Sequence, residues 1–126
     1  MKIILIRHGM TEGNLKRRYI GTTDEDLINT DCLKGDYPKC ERVVASPLKR
    51  CIQTAEYIYP NVDIEICDKL KECDFGDFEN KSYEDLKDNP DYQKWIDSNG
   101  ELPFPNGETH EDFKNRCKDG FFESLT

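Results

Sequence analysis

Apolar residues arrive along this chain in short bursts separated by long polar stretches. The first burst is Ile3-Ile4-Leu5-Ile6, directly after Lys2. Four consecutive apolar residues, three of them β-branched, predict a strand over Lys2–Ile6 buried on both faces. Full burial would contribute about 1.5–3 kcal/mol per side chain. A second burst, Arg42-Val43-Val44-Ala45, predicts another short buried strand. Val62, Ile64 and Ile66 alternate with Asp63, Glu65 and Cys67, the period-two pattern of an edge strand.

Between the strands the spacing turns helical. Ser46 reads as an N-cap and Pro47 as the first helical residue. Leu48, Cys51, Ile52, Ala55 and Ile58 then give one apolar stripe, which Tyr59-Pro60 ends. Ser82-Tyr83-Glu84-Asp85 has the form of a capping box. Asn89-Pro90 opens a helix carrying Tyr92, Trp95 and Ile96, and Asn99-Gly100 stops it. Tyr92 and Trp95 read as packing for a small helical layer rather than as substrate contacts. From Asp24 to Cys40 the pattern supports a turn or two of helix and no more.

Composition narrows the picture. With 126 residues, of which 36% are hydrophobic and 35% charged, the chain has room for a single domain over 1–126 with a modest core. A net charge of −8 argues against nucleic-acid and anionic-membrane partners. A phosphate site in such a chain needs locally concentrated Arg and Lys. The apolar run after Lys2 is too short for a secretion signal or a membrane span, so a cytoplasmic location is expected. The six cysteines then read as reduced thiols. Without a Cys-x-x-Cys, and with only two histidines, no metal site is expected.

The candidate chemistry sits where the first predicted strand stops, at Arg7-His8-Gly9. Ligands of open α/β sheets bind beyond the carboxyl ends of the strands. A neutral imidazole is a competent nucleophile near pH 7, and a guanidinium fork matches two phosphate oxygens. The pair suggests attack of a histidine nitrogen on phosphorus, although a dipeptide alone reads more readily as a surface His and Arg capping a core strand. The basic run Lys16-Arg17-Arg18 follows closely, with Lys16 and Arg17 read as a solvated helical turn.

The longer string decides between these readings. Leu5-Ile6-Arg7-His8-Gly9-Met10-Thr11-Glu12-Gly13-Asn14 closely resembles the signature of the histidine phosphatase superfamily, the phosphoglycerate mutase-like group in which the histidine becomes phosphorylated. Ser46-Pro47-Leu48-Lys49-Arg50-Cys51-Ile52-Gln53-Thr54-Ala55 resembles the family's second signature. Leu70-Lys71-Glu72-Cys73-Asp74-Phe75-Gly76-Asp77-Phe78-Glu79 resembles its third block. The resemblance implies a three-layer α/β/α fold with a mostly parallel sheet. It makes His8 the nucleophile, Arg7 and Arg50 the phosphate clamp, and Glu72 the proton donor to the leaving alcohol. Asn14 and Gly21, with Thr22 beside it, fall on the phosphate and substrate side. Read alone, Glu72 with Asp74, Asp77 and Glu79 would be a plain acidic loop. The block ends Glu79-Asn80 where the family has Glu-Gly, and Asn tolerates the left-handed conformation a Gly would supply. Pro105-Asn106-Gly107-Glu108-Thr109, with Arg116, resembles the start of a later family helix, capped by Thr109 and burying Phe113, Cys117 and Phe121. His110 follows a cap residue on that helix and is read as an ordinary, partly packed side chain.

Members of the family carry further strands and a second catalytic histidine after such a helix. The chain is therefore expected to be truncated or a fragment, lacking the C-terminal strands, with a gap beside the first strand. If whole, it is expected to form a homodimer, exchange strands or dissolve poorly. The implied function is phosphomonoester hydrolysis without cofactor on a small phosphorylated metabolite, with the overall look nearest to α-ribazole phosphatase-like members. The alternatives are an impaired or inactive phosphate-binding or interaction module and, less favoured because the excursion before Gly107 is short, mutase-type phosphotransfer.

Overall fold

The computed structural model describes all 126 residues. It is a mixed α/β structure whose sheet has two parallel strands, β1 (Val43–Ala45) and β2 (Ile64–Ile66), paired Val43 to Ile64 and Ala45 to Ile66. The helices are α1 (Glu12–Leu15), α2 (Lys49–Ile58), α3 (Tyr83–Leu86), α4 (Pro90–Asp97) and α5 (His110–Ser124). Helix α2 connects the strands and packs on both. Its start differs from the predicted one: Leu48 is the N-cap and makes no side-chain cap. Asp24, distant in sequence, supplies the missing acceptor, its carboxylate taking the Lys49 N–H at 2.7 Å. Gln53 fixes the same connecting stretch, accepting from Leu27 N–H at 2.8 Å and donating to Asp26. The weakly patterned region 24–40 contains one short 3₁₀ turn, Asp31–Leu33, as its sequence suggests.

Three caps form as read. Ser82 and Asp85 make a reciprocal box at α3, Asn89 accepts from Asp91 and Tyr92 at α4, and Thr109 accepts from Asp112 at α5. Asn80 takes φ 59°, the left-handed state expected of it, and Asn99 and Gly100 end α4 at φ 58° and 75°. Helix α5 lies against the turn Asp68–Leu70. Phe113, Cys117 and Phe121 are only half-buried, and Gly120 is the helix's buried residue, where a Cβ would meet Lys69 Cβ at 2.8 Å.

The main buried cluster is built from the chain that follows β2. Cys73, Phe78, Leu86, Tyr92 and Phe104 are buried together, with Tyr19, Phe75, Trp95 and Phe113 packed around them. The rings meet edge to face, Phe75 on Phe104 at 5.0 Å and 85°, Phe78 on Tyr92 at 5.2 Å and 88°. Such pairs add about 0.5–1.5 kcal/mol each beyond area burial. Tyr92 and Trp95 belong to this packing. Burial, with the neighbouring Tyr19, pushes the Tyr92 phenol up to about 12.

The predicted strand over Lys2–Ile6 does not form. No residue from Met1 to His8 makes a backbone–backbone hydrogen bond, and the segment belongs to no strand. Leu5 is 84% exposed and Ile3 49%, so the expected burial on both faces is also absent. The physical reason is the lack of a neighbour. β1 pairs on one edge only, with β2, and does not pair with Lys2–Ile6. Between them lies a groove of about 760 Å³, walled by residues such as Ile4, Ile6, Val44, Ala55 and Leu125. An apolar run becomes a strand only where a second backbone stands within about 4.8 Å.

Candidate active site

His8 and Gly9 leave the open segment and enter the closed part of the molecule. Gly9 is buried, and its N–H donates to Thr54 Oγ1 at 3.0 Å. Thr54, 5% exposed, donates in turn to Arg50 O at 2.7 Å, one helical turn back along α2. This side chain ties the His8 loop to the helix that carries Arg50. Leu27 and Leu33 cover Gly9 closely enough that a Cβ there would meet both at 3.2 Å.

The His8 ring is half-buried, with Nδ1 2.6 Å from Gly9 O. A carbonyl oxygen only accepts, so Nδ1 carries the proton and Nε2 keeps its lone pair. Burial pulls the His8 pKa below 6.5, the Gly9 hydrogen bond works against this, and the Arg50 and Arg7 charges lower it further. The Glu72 carboxylate pushes it back up. His8, Arg7, Arg50 and Glu72 thus lie close enough to act on one another electrostatically, and the balance favours the neutral imidazole.

The two arginines stand differently. Arg7 is exposed and makes no hydrogen bond within the chain. Arg50 is 1% exposed and donates to Thr23 O and Gly21 O, each at 2.7 Å, and to Ile20 O at 3.5 Å. Its Nε is buried without a partner. Gly21 has both backbone groups engaged, the N–H by Glu79 and the carbonyl by Arg50. Asn14 forms a capping box with Thr11 at the start of α1, its Oδ1 accepting from Thr11 N–H at 3.1 Å. It thus supports the loop after His8.

Glu72 is exposed and its Oε1 accepts from Cys73 N–H at 2.8 Å. The stretch that carries it is held by Arg116, which donates to the carbonyls of Lys69, Lys71 and Glu72 and grips Glu108 through two contacts of 2.8 Å. Glu108 also accepts from Asp74 N–H at 3.2 Å. The Arg116 bond holds the Glu108 carboxyl below its usual range against a burial cost. Cys73, beside Glu72, is no nucleophile here: burial and the Glu108 and Glu72 charges push its thiol up to about 12. His110 stays apart from the site, its Nε2 2.6 Å from Gly100 O and its ring against Phe104.

Thr54, Glu79 and the Arg116–Glu108 pair are structural partners of the site that sequence reasoning left without a role. Each lies in or beside a recognised string, but its partner stands 34 to 58 residues away or across an element boundary. The one local signal was Thr54 itself, a buried hydroxyl four residues after Arg50 on the apolar face of α2.

An unprotonated imidazole nitrogen in the field of two guanidinium groups and a carboxylate, beside a parallel βαβ unit, is a set of groups suited to phosphoryl chemistry. Sequence comparison agrees: residues 3–125 match the histidine phosphatase superfamily (branch 1), and the chain belongs to that family. It is similar to the uncharacterized phosphatase PhoE of Bacillus subtilis (strain 168), with 35% identity over 94% of this chain and 61% of that protein. It is also similar to phosphoserine phosphatase 1 of Hydrogenobacter thermophilus, with 29% identity over 99% of this chain and 64% of that one. Among solved structures, the α-ribazole phosphatase from Shigella flexneri superposes with a TM-score of 0.80 at 27% identity, covering 95% of this chain and 64% of that one. The chain thus spans a little under two thirds of the length of these relatives. No helix is long and apolar enough to cross a membrane.

Proposed function

We propose that the chain hydrolyses phosphate monoesters of small metabolites through a phosphohistidine on His8. The observation that carries this reading is the His8 ring, with Nδ1–H fixed on Gly9 O and Nε2 free in the field of Arg7 and Arg50. Nε2 attacks phosphorus and forms the P–N bond as the P–O bond to the alcohol breaks. Glu72 gives its proton to the leaving oxygen, an effect of about 10²–10⁴-fold for a positioned acid. Water then attacks phosphorus, the Glu72 carboxylate takes its proton, the P–N bond breaks and inorganic phosphate leaves. Arg7 and Arg50 balance charge on the phosphoryl oxygens in both steps. The scheme uses side chains of the chain alone.

A second reading, an impaired or inactive phosphate-binding or interaction module, is favoured by one observation: the Arg50 guanidinium is turned onto backbone carbonyls and away from solvent, so only Arg7 is free to meet a phosphoryl oxygen. One experiment separates the two. The protein is incubated with p-nitrophenyl phosphate, and acid-labile protein-bound phosphate and free phosphate are followed. Hydrolysis reads as both species forming in the wild type and neither in His8→Ala. Phosphate binding with neither species formed sinks the hydrolytic reading and leaves the binding module.

A further inference from the structure

The loop Ile20–Thr23 is gripped from two sides, and only one grip belongs to the proposed chemistry. On that side are the three carbonyls that hold Arg50. On the other, the Glu79 carboxylate gathers three successive backbone N–H groups. Gly21 N–H donates to Oε2 at 2.9 Å, Thr22 N–H to Oε1 at 3.3 Å and Thr23 N–H to Oε2 at 3.1 Å, with the Thr23 hydroxyl adding a contact of 2.5 Å. Successive N–H groups converging on one anion form a nest, a motif that commonly binds phosphate. Here the chain fills it with its own carboxylate.

The arrangement leaves the loop little freedom. A Cβ on Gly21 would lie 1.9 Å from Cys73 O and 2.8 Å from Glu79 Oε1, so the loop backbone lies against the 73–79 stretch. Asn80 N–H donates to Tyr19 O at 2.7 Å and Tyr19 N–H to Lys81 O at 2.9 Å, which latches the loop entrance to the residues after Glu79. Glu79 itself does not touch Arg50. It holds the amide side of two peptide groups, Ile20–Gly21 and Gly21–Thr22, whose carbonyls hold the guanidinium, and the N–H of Thr23, whose own carbonyl is the third acceptor.

We propose that Glu79 is a positioning residue: by anchoring Gly21–Thr23 it fixes the place of the Arg50 guanidinium beside His8. The proposal rests on His8 and Arg50 being the phosphoryl site. Charge-assisted bonds are the strong ones, and an amide in place of the carboxylate turns one acceptor into a donor facing N–H groups. Glu79→Gln therefore loosens the loop without removing bulk. Thr23→Val, which loses only the hydroxyl contact, is the milder companion for the case in which Glu79→Gln fails to fold.

Two readouts test it. The first is hydrogen exchange of the Arg50 Nε–H by ¹⁵N–¹H NMR, the resonance being assigned by its loss in Arg50→Lys. The second is orthovanadate affinity. Glu79→Gln is expected to speed Nε–H exchange and weaken vanadate binding by about tenfold each, Thr23→Val by about two- to threefold. The proposal is overturned if Arg50 Nε–H exchange is unchanged in the folded variants, even where their melting temperature falls, because Glu79 would then only staple a loop. Failure of the functional reading looks different: the wild type forms no phosphohistidine, while the exchange arm still reports on the placement of Arg50.

Discussion

The stretch from Cys73 to Phe104 and the stretch from Met1 to Ile6 both carry large apolar side chains, and the molecule treats them in opposite ways. In the first, Phe78 is 0% and Tyr92 3% exposed. In the second, Leu5 is 84% exposed although it stands inside the most apolar run of the chain. Hydrophobicity does not separate them; backbone satisfaction does. Around the aromatic cluster the peptide groups are spoken for by the 3₁₀ turn Gly76–Phe78, the Ser82 and Asn89 caps and the α4 hydrogen bonds. From Met1 to His8 no peptide group has a backbone partner. Burying apolar side chains also buries their amides, and an unpaired amide offsets much of the gain. A run of Ile and Leu thus stays open where nothing pairs with it.

The sharpest way to break that comparison is a pair of substitutions read by chemical denaturation. Phe78→Ala empties the centre of the aromatic cluster and is expected to cost about 3–5 kcal/mol. Leu5→Lys, in the open segment, is expected to change the unfolding free energy of the monomer, measured at a protein concentration too low for association, by no more than about 0.5 kcal/mol. A large loss from Leu5→Lys under those conditions would mean that the segment is covered within the monomer and that the two regions are alike.

The next effect concerns association. The groove of about 760 Å³ has apolar walls and free backbone edges on β1 and on Lys2–Ile6, the features of a strand-accepting site. We propose that copies of the chain associate through it. The wild type is then expected to sediment as a dimer or larger species, with Leu5→Lys shifted toward monomer. A compact wild-type monomer with phosphatase activity would sink this and make the open edge a tolerated one.

The contrast also explains what could be read from the residues. The closed half was legible because its signals are local: Ser82 with Asp85, Asn89 with Pro90, Thr109 before its helix, and Asn80 in place of a glycine. The nucleophile loop was legible as a string, since Arg7, His8 and Asn14 lie close together in sequence. The strand over Lys2–Ile6 was misread because periodicity reports which side chains prefer burial and carries no information on whether a second backbone is present. The start of α2 was misplaced for a related reason, its cap being Asp24, 25 residues upstream. Glu79 looked like one acidic residue among several until the fold brought Gly21–Thr23 to its carboxylate.

His8 stands on the boundary between the two regions, and its titration measures whether that boundary holds. Only the neutral ring is a nucleophile, so phosphohistidine formation falls on the acid side of the folded-state pKa. Burial, the largest influence, lowers that pKa below 6.5, with Arg50 and Arg7 acting the same way. Single-turnover formation from p-nitrophenyl phosphate, whose leaving phenolate needs no proton from Glu72, quenched in base, is therefore expected to stay flat from pH 8 down to about 6.5 and to fall only at lower pH. Removing the Glu72 charge, the one charge that raises the pKa, should move the acid limb of Glu72→Gln lower still, even as the overall rate drops. If the open segment instead carried His8 into solvent, the burial contribution would vanish and the limb would return toward 6.5. A limb at or above 6.5 would place His8 with Met1–Ile6; one below it places the nucleophile with Gly9 and Thr54.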